Sequence, residues 1–92
     1  MFYTYVIKSD RCDEVYVGST SNLKRRLTEH NQGLNFSTKK YKPCHLIYYE
    51  ACIEEQDAKR REYYFKTTQG KRMLRKRTIE YWRKEWSKNL IN

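Results

Sequence analysis

The feature that most constrains the fold is a change of hydrophobic period inside EVYVGSTSNLKRRLTEHNQG, residues 14–33. The stretch opens with alternating β-branched and aromatic residues that end at Gly18, and a row of small hydroxyl residues and Asn22 follows. Leu23 and Leu27 then recur at helical spacing among basic residues. Because strands repeat every two residues and helices about every 3.6, a strand must pass into a helix here within a few positions.

The beginning of the chain supplies a partner for this strand. FYTYVIKS, residues 2–9, places Tyr3, Tyr5 and Ile7 on one face, and its other face is also apolar enough for a strand covered on both sides. The turn DRCD separates it from the strand at 14–19. This short connection favours an antiparallel hairpin, although the pattern leaves the strand register undetermined.

The remaining chain alternates a loop, a strand and helices. A helix at about 22–32 should end at Gly33, followed by a polar loop and a third strand at 45–53. The helical period returns at Glu54, with one stripe formed by Ile53, Ala58, Glu62 and Phe65. Gly70 interrupts it, and a last helix at about 71–88 carries aromatic residues. The order ββαβαα predicts an α+β fold, a small and largely antiparallel three-stranded sheet flanked by helices.

Length and charge narrow the class of protein. At 92 residues the chain is expected to form one domain, residues 1–92, with a small core. Twenty Lys and Arg against eleven Asp and Glu give a net charge of +9, which favours a nucleic acid as partner. Three cysteines without zinc-ligand spacing are expected to stay reduced, and no leader-like or membrane-spanning run is present in the sequence. We therefore expect a cytoplasmic protein.

A few polar residues stand on segments that otherwise have the composition of a core. They are Tyr5, Tyr16, Arg26, His30 and Glu62. Each has an ordinary structural explanation: strand tyrosines usually pack, helix arginines are usually solvated, Glu62 can pair with Lys59 or Lys66, and His30 can interact with a helix C-terminus. Taken singly, none of them predicts a catalytic site.

Together these residues resemble the core of the GIY-YIG nuclease superfamily, in particular its small stand-alone bacterial members. Tyr3-Thr4-Tyr5 matches the first tripeptide only at its final tyrosine, and Tyr16-Val17-Gly18 differs from the second by one conservative change. Arg26 and His30 match the helix positions, and Glu62 in AKRREYYFK matches the later glutamate. The resemblance continues through HNQG, STKKYKPCHLIYYE and KTTQGKRML and covers about residues 2–77.

The resemblance implies a metal-dependent endonuclease that hydrolyses DNA phosphodiester bonds with little sequence specificity. Glu62 would bind Mg²⁺ or Mn²⁺, and Arg26 would stabilise the transition state. Tyr5 is our first choice of general base, with Tyr16 and His30 as alternatives whose roles are interchangeable at this stage. Gly18 would allow backbone or substrate to approach closely. The preferred form of DNA, single-stranded, branched or duplex, and the pathway, DNA repair among others, stay open.

Basic residues outside this group are expected to contact the DNA backbone without reading its sequence. The strongest candidates are Lys39, Lys40, Lys42, Arg61, Lys71 and Arg72. Tyr41 and Phe36 are candidates for stacking on an unpaired base, with loop packing as the alternative. Two further hypotheses are a basic nucleic-acid-binding module with weak or lost cleavage and, ranked last, an adaptor that docks through the C-terminal helix. We expect a monomer or a weak homodimer.

Overall fold

A computed structural model describes residues 1–35 and 38–91, with side chains up to residue 88, so the predicted stacking of Phe36 lies outside the described residues. The strands are β1 (Phe2–Ser9), β2 (Val15–Thr20) and β3 (Cys44–Cys52). The helices are α1 (Leu23–Asn31), α2 (Glu55–Phe65), α3 (Thr68–Arg77) and α4 (Ile79–Ile91), with a short 3-10 helix at Lys39–Tyr41. The α+β fold and the first hairpin are confirmed.

The sheet has the order β2-β1-β3, and both pairings are antiparallel. The sequence left the third strand unplaced, and the structure puts it on the free edge of β1. Tyr5, Val6 and Ile7 are therefore wholly buried in the central strand, which explains why both of its faces are apolar. The predicted helix stop at Gly33 is also confirmed, since this residue has a φ of 76°.

The register decides which residues share a face. Tyr5 lies opposite Gly18 and Ile7 lies opposite Tyr16 in the β1–β2 pair. Because directly opposed residues point to the same side of a sheet, Tyr5 and Tyr16 lie on one face, the face that packs against Leu23 and Leu27 of α1.

The other face of the sheet belongs to a separate core cluster. Val6 and Val17 pack there against Phe65 of α2 and Leu74 of α3. The sheet is therefore covered by α1 on one side and by α2 and α3 on the other, and the open edge of β2 lies between these two layers.

The prediction of one long C-terminal helix after Gly70 is wrong. Gly70 lies inside α3, which is capped by Thr67, and the helical run breaks later, at Thr78. A Cβ at Gly70 would stand 1.9 Å from the Tyr64 carbonyl oxygen, so this glycine permits close packing and does not interrupt a helix. At Thr78 the hydroxyl donates to the Leu74 carbonyl oxygen at 2.7 Å. The order is thus ββαβααα.

One other expectation is corrected, namely that Ile53 belongs to the stripe of α2 that packs on the core. Ile53 is 76% exposed, because α2 begins only at Glu55 and Ile53 precedes it in a turn; Ala58 and Phe65 are buried as predicted. On α4, Trp82 is buried whereas Trp86 is largely exposed. The three cysteines are free thiols. Among the described residues no helix has both the length and the apolar character needed to cross a lipid bilayer.

Candidate active site

Gly18 is required by a side chain of its own protein. A Cβ at this position would lie 2.4 Å from the Tyr5 hydroxyl oxygen and 2.6 Å from the adjacent ring carbon. The space next to Gly18 is therefore filled by Tyr5, and the expectation that Gly18 admits substrate or backbone there is wrong. Tyr5 lies opposite Gly18 in the strand register, so the glycine of the Tyr-Val-Gly tripeptide makes room for the phenol on the neighbouring strand.

The Tyr5 hydroxyl continues into a buried chain of hydrogen bonds. It lies 2.8 Å from Nε2 of His30, and the Nδ1 atom of His30 lies 2.7 Å from the Thr38 hydroxyl. His30 projects from the last turn of α1 toward the face of the sheet that carries Tyr5. All three residues are almost entirely removed from solvent. These hydrogen bonds hold α1 and the loop that follows it against the central strand.

Burial also sets the protonation states of this pair. It raises the pKa of Tyr5 well above the usual value of a phenol, with Tyr16 and Glu62 adding to the effect and the Arg26 guanidinium opposing it. Burial and then the Arg26 cation lower the pKa of His30. At neutral pH both side chains are therefore uncharged. A wholly buried tyrosine with a raised pKa does not fit the general-base role predicted for Tyr5.

Tyr16 belongs to the same aromatic group but is only half-buried. Its ring centroid lies 5.2 Å from that of His30 and 6.5 Å from that of Tyr5. None of the described residues forms a hydrogen bond with its hydroxyl. Of the two strand tyrosines, Tyr16 is thus the one with solvent access and an uncommitted hydroxyl group.

Arg26 lies beside a cleft of about 250 Å³ between α1, α2 and the end of β2. Its Nε is 3.4 Å from an oxygen of Glu29, but this contact lacks hydrogen-bond geometry. Within residues 1–35 and 38–91 the buried Nε–H has no hydrogen-bond acceptor. Such an atom leaves a donor free for an incoming anion.

Glu62 is connected to this cleft by a hydrogen bond from Ser19. The Ser19 hydroxyl, which lines the cleft, donates to one carboxylate oxygen at 2.7 Å, and the Lys66 ammonium donates to the other at 2.8 Å. Burial opposes ionisation of Glu62, but these two hydrogen bonds outweigh it and lower its pKa. Arg26 and Glu62 both influence the pKa of Tyr5, Arg26 by lowering it and Glu62 by raising it.

The donor set near Glu62 is sparse. No cluster of three or more His, Cys, Asp or Glu side chains able to hold a metal occurs in the described part of the chain. Magnesium is commonly held by one or two carboxylates, with water and substrate phosphate completing the coordination shell. The single ionised carboxylate of Glu62 fits this pattern, whereas a metal held by protein groups alone does not.

The predicted DNA-backbone contacts fall into two groups. Lys39, Lys40 and Lys42 are exposed around the 3-10 helix, and Lys71 and Arg72 are exposed on α3. Arg61 differs from them, because its guanidinium pairs with both oxygens of Glu50 and stacks over Phe65. Its position and pairing assign it to packing between α2 and β3, and we leave it out of the interface.

Two site residues escaped the sequence reasoning. Ser19 reads as one of several candidate helix caps, and Thr38 reads as an ordinary loop residue, yet they hold Glu62 and His30 respectively. The only available signal is that Ser19 directly follows the glycine of the second tripeptide. The proposed pairing of Glu62 with Lys66, by contrast, was available from their four-residue spacing and is present.

Comparison with known proteins agrees with this geometry. The model of the GIY-YIG catalytic domain matches residues 1–88, which extends past residue 77, where the sequence resemblance was expected to stop. A UPF0213 protein of Pediococcus acidilactici is 38% identical over 78 residues, covering 80% of this chain and 78% of the relative. A UPF0213 protein of Bacillus licheniformis is 37% identical over 84 residues, covering 90% and 84% respectively.

A third relative, a UPF0213 protein of Staphylococcus haemolyticus, is 34% identical over 74 residues and is matched over 89% of its length, with 79% of this chain covered. No solved structure shows significant similarity. The family model covers nearly the whole chain, and the relatives match most of it at more than 30% identity. The chain belongs to the GIY-YIG catalytic domain family, a family of nucleases.

Proposed function

We propose that this protein is a divalent-metal-dependent endonuclease that hydrolyses phosphodiester bonds of DNA with little sequence specificity. The observation that carries the proposal is the arrangement at the end of β2. There the unfilled Nε–H of Arg26 borders a cleft whose wall residue Ser19 holds the ionised carboxylate of Glu62. A cationic donor on the cleft and an ionised carboxylate bonded to its wall residue are groups that assist phosphodiester hydrolysis, the first by stabilising charge and the second by holding a metal ion.

Arg26 is assigned to the phosphoryl oxygens. Its guanidinium stays protonated at every relevant pH, so it cannot act as a base, but its fork of donors matches the oxygens of a phosphate. One such donor is already buried and without an acceptor in the free protein. Stabilising the charge that develops in the transition state by a preorganised donor of this kind typically contributes about 10²- to 10³-fold to the rate.

Tyr16 is assigned to the attacking water. It has the solvent access that Tyr5 lacks, and its hydroxyl is free to accept a hydrogen bond from that water. Tyr5 and His30 then serve as positioning residues, because their buried hydrogen bond holds the ring against which Tyr16 packs. Tyr16→Phe should lower the cleavage rate without changing DNA affinity, whereas Tyr5→Phe should also lower the stability of the fold.

Glu62 would hold the metal ion, together with water and an oxygen of the substrate. When bound there, Mg²⁺ or Mn²⁺ supplies positive charge that stabilises the departing oxygen. Lys66 occupies one oxygen of Glu62 in the free protein but is about half exposed, so its side chain is free to move to the DNA backbone. Ser19 donates to the other carboxylate oxygen and so helps to fix the orientation of Glu62.

The surrounding charge supports DNA as the substrate. Lys39, Lys40, Lys42, Lys71 and Arg72 are exposed, and the whole chain carries a net charge of +9. Cations of this kind bind phosphates and release counterions, so affinity should fall steeply as salt concentration rises. They do not read bases, which is consistent with weak sequence preference.

The deciding experiment compares two carboxylates of α2. Labelled single-stranded, duplex and forked DNA are incubated with Mg²⁺ or Mn²⁺ and either wild-type protein, Glu62→Gln or Glu55→Gln. Glu55 lines the same cleft but is exposed and lies 4.0 Å from Lys59. We expect Glu62→Gln to abolish metal-dependent cleavage and Glu55→Gln to preserve it. Equal cleavage by all three proteins would show that the activity does not come from this site.

The ion pair between Glu62 and Lys66 favours a second candidate, a nucleic-acid-binding module without efficient cleavage. If Lys66 stays on the carboxylate when DNA is bound, Glu62 has less capacity to hold a metal. The same assay separates the two functions. The binding module would be supported if wild-type protein binds DNA tightly but does not cleave it with either metal, and if the Lys66→Ala variant does not cleave it either.

A further inference from the structure

A second and larger pocket lies on the opposite side of the sheet from Tyr5. It has a volume of about 400 Å³ and an apolar floor formed by Val17, Ile47, Phe65 and Leu74. Val17, Phe65 and Leu74 are buried residues of the core cluster on this face, and Ile47 packs against them. The pocket therefore lies directly over the core, next to α3 and α4. A pocket of this size and lining is typical of sites that take a small, flat organic group.

The rim of this pocket is basic. Lys66, Lys71 and Arg75 line it, and Asp13 is the one carboxylate among its lining residues. In the described part of the chain no carboxylate lies within ion-pair distance of Lys71 or Arg75. An apolar floor below unpaired cations is complementary to a ligand that is flat and apolar in one part and anionic in another.

Arg75 adds a planar surface. Its guanidinium lies over the Trp82 ring at 4.2 Å, and Trp82 is itself held edge to face by Tyr81 at 5.1 Å. Trp82 is buried, so the stack has a rigid base. The Trp86 ring also lies 5.9 Å from this guanidinium but does not line the pocket, whereas Arg75 and Trp82 do. A guanidinium plane and an indole ring are both surfaces on which an aromatic heterocycle can stack.

Two residues connect this pocket with the candidate active site. Lys66, on its rim, donates to Glu62, and Tyr16, which lines it, packs against His30. The pocket is therefore joined to the cleft at Arg26 by the contacts between Ser19, Glu62 and Lys66.

We propose that this pocket binds one unpaired nucleobase of the DNA strand, with the phosphate of that nucleotide held by Lys71 and Arg75. The inference rests on the proposed function, because it takes the strand to be DNA bound at Arg26 and Glu62. A base inside a duplex is stacked and paired and cannot enter. The pocket thus selects single-stranded or locally unpaired DNA, which specifies the substrate class.

The test measures binding without cleavage. Fluorescently labelled oligothymidylate and an abasic oligonucleotide of equal length and charge are titrated with full-length protein in EDTA, with anisotropy as the readout. Wild-type protein should bind the thymidylate about tenfold more tightly, in line with the usual contribution of base stacking. Val15→Trp, which fills the pocket from its edge strand and removes no charge, should bring this ratio near one while leaving the abasic affinity unchanged. Arg75→Lys, which keeps the charge but loses the plane, should also lower the ratio.

Two control variants make the result specific. Arg72→Ala removes a cation of the same helix that does not line the pocket and should weaken both probes equally. Tyr49→Ala removes an exposed ring that packs on Tyr3 at 6.0 Å, far from α3 in the fold, and should leave the ratio unchanged. Equal affinity of wild-type protein for the two probes, or a ratio lost only in Tyr49→Ala, would overturn the inference. Neither result depends on cleavage, so failure of the nuclease proposal gives a different pattern.

Discussion

The molecule contains two histidines with nearly the same immediate partners. Nε2 of His30 lies 2.8 Å from the Tyr5 hydroxyl, and Nε2 of His45 lies 2.7 Å from the Tyr81 hydroxyl. The Nδ1 atoms differ, since that of His30 faces the neutral Thr38 whereas that of His45 faces the carboxylate of Asp10. Judged by hydrogen bonds alone, the second group looks more like a catalytic triad than the first.

Their surroundings separate the two groups. His30 is wholly buried next to Arg26 and Tyr16, at the edge of a cleft, whereas the side chains of His45 and Asp10 are 40% and 47% exposed. His45 and Tyr81 join β3 to α4, and burial, followed by Glu85, raises the pKa of Tyr81 to about 12. A phenol on a histidine therefore does not by itself indicate chemistry. What distinguishes the candidate site is the neighbouring Arg26, whose Nε–H has no acceptor among the described residues, together with the carboxylate of Glu62 on α2.

The largest expected effect tests whether chemistry belongs to the His30 group. Arg26→Ala removes the unpartnered donor and should lower the single-turnover cleavage rate by about 10²- to 10³-fold. Arg25→Ala is the matched control, because Arg25 precedes it on the same helix and lines the same cleft but is 62% exposed. We expect Arg25→Ala to lose less than about fivefold, as is usual for an exposed cation. If both variants lost the same fraction of the cleavage rate, Arg26 would be only a general phosphate contact.

The next effect compares the two histidines in stability. His30→Ala leaves the hydroxyls of Tyr5 and Thr38 buried without partners and should lower the free energy of unfolding by about 2–5 kcal/mol. His45→Ala, at an exposed pair, should cost about 0–1 kcal/mol. Urea denaturation followed by circular dichroism measures both values. A cost for His45→Ala as large as that for His30→Ala would contradict the distinction between a buried and a surface group.

A smaller effect concerns the contact that supports the buried group. Gly18→Ala drives a methyl group into the Tyr5 ring and should lower the free energy of unfolding by about 1–3 kcal/mol. The nearest atom is the Tyr5 hydroxyl oxygen, so the same substitution should cost less in a Tyr5→Phe background. Thermodynamic measurements on the single and double variants test this coupling. Identical costs in the two backgrounds would show that Tyr5 does not impose the glycine.

The smallest effect is a pH dependence of stability that comes from His30. The pKa of His30 is lowered in the folded state, so below pH 6.5 the unfolded chain binds a proton that the folded chain does not. Its contribution to stability is therefore present above pH 6.5 and is lost as pH falls toward the lower folded pKa. The slope attributable to His30 is at most about 1.4 kcal/mol per pH unit. Between pH 7 and 5 this slope should disappear in His30→Gln and persist in His45→Gln.

Much of the fold was predictable from local pattern. Strand and helix periods located the hairpin, α1, β3 and α2, and Gly33 ended α1 as expected. The failures occurred where a tertiary contact overrides local preference. Gly70 was interpreted as a break, but it lies in a helix because the Tyr64 carbonyl group occupies the space that a side chain would need.

The sequence selected candidate site residues, and the structure shows where each of them lies. The candidates are Tyr5, Tyr16, Arg26, His30 and Glu62. Tyr5 and Tyr16 lie on one face of the sheet, where Tyr5 bonds to His30, whereas Glu62 accepts from Ser19 of β2. Whether Tyr5 or Tyr16 is accessible to solvent depends on how α1 and the following loop pack on this face of the sheet. For this reason Tyr5 was the first choice of base and Tyr16 is now preferred.

The amino-acid order by itself determined the periods, the charge and the chemical types available, because these are properties of residues and their near neighbours. Only the tertiary structure decided the partner of each polar group. Tyr5 and His30 are separated by 25 positions and Ser19 and Glu62 by 43, and no local pattern specifies such contacts. They arise because the sheet is covered on both faces, by α1 on the side of Tyr5 and by α2 on the other side. Burial under these helices makes a polar group without a partner costly, so the tertiary packing decides which donors and acceptors are paired.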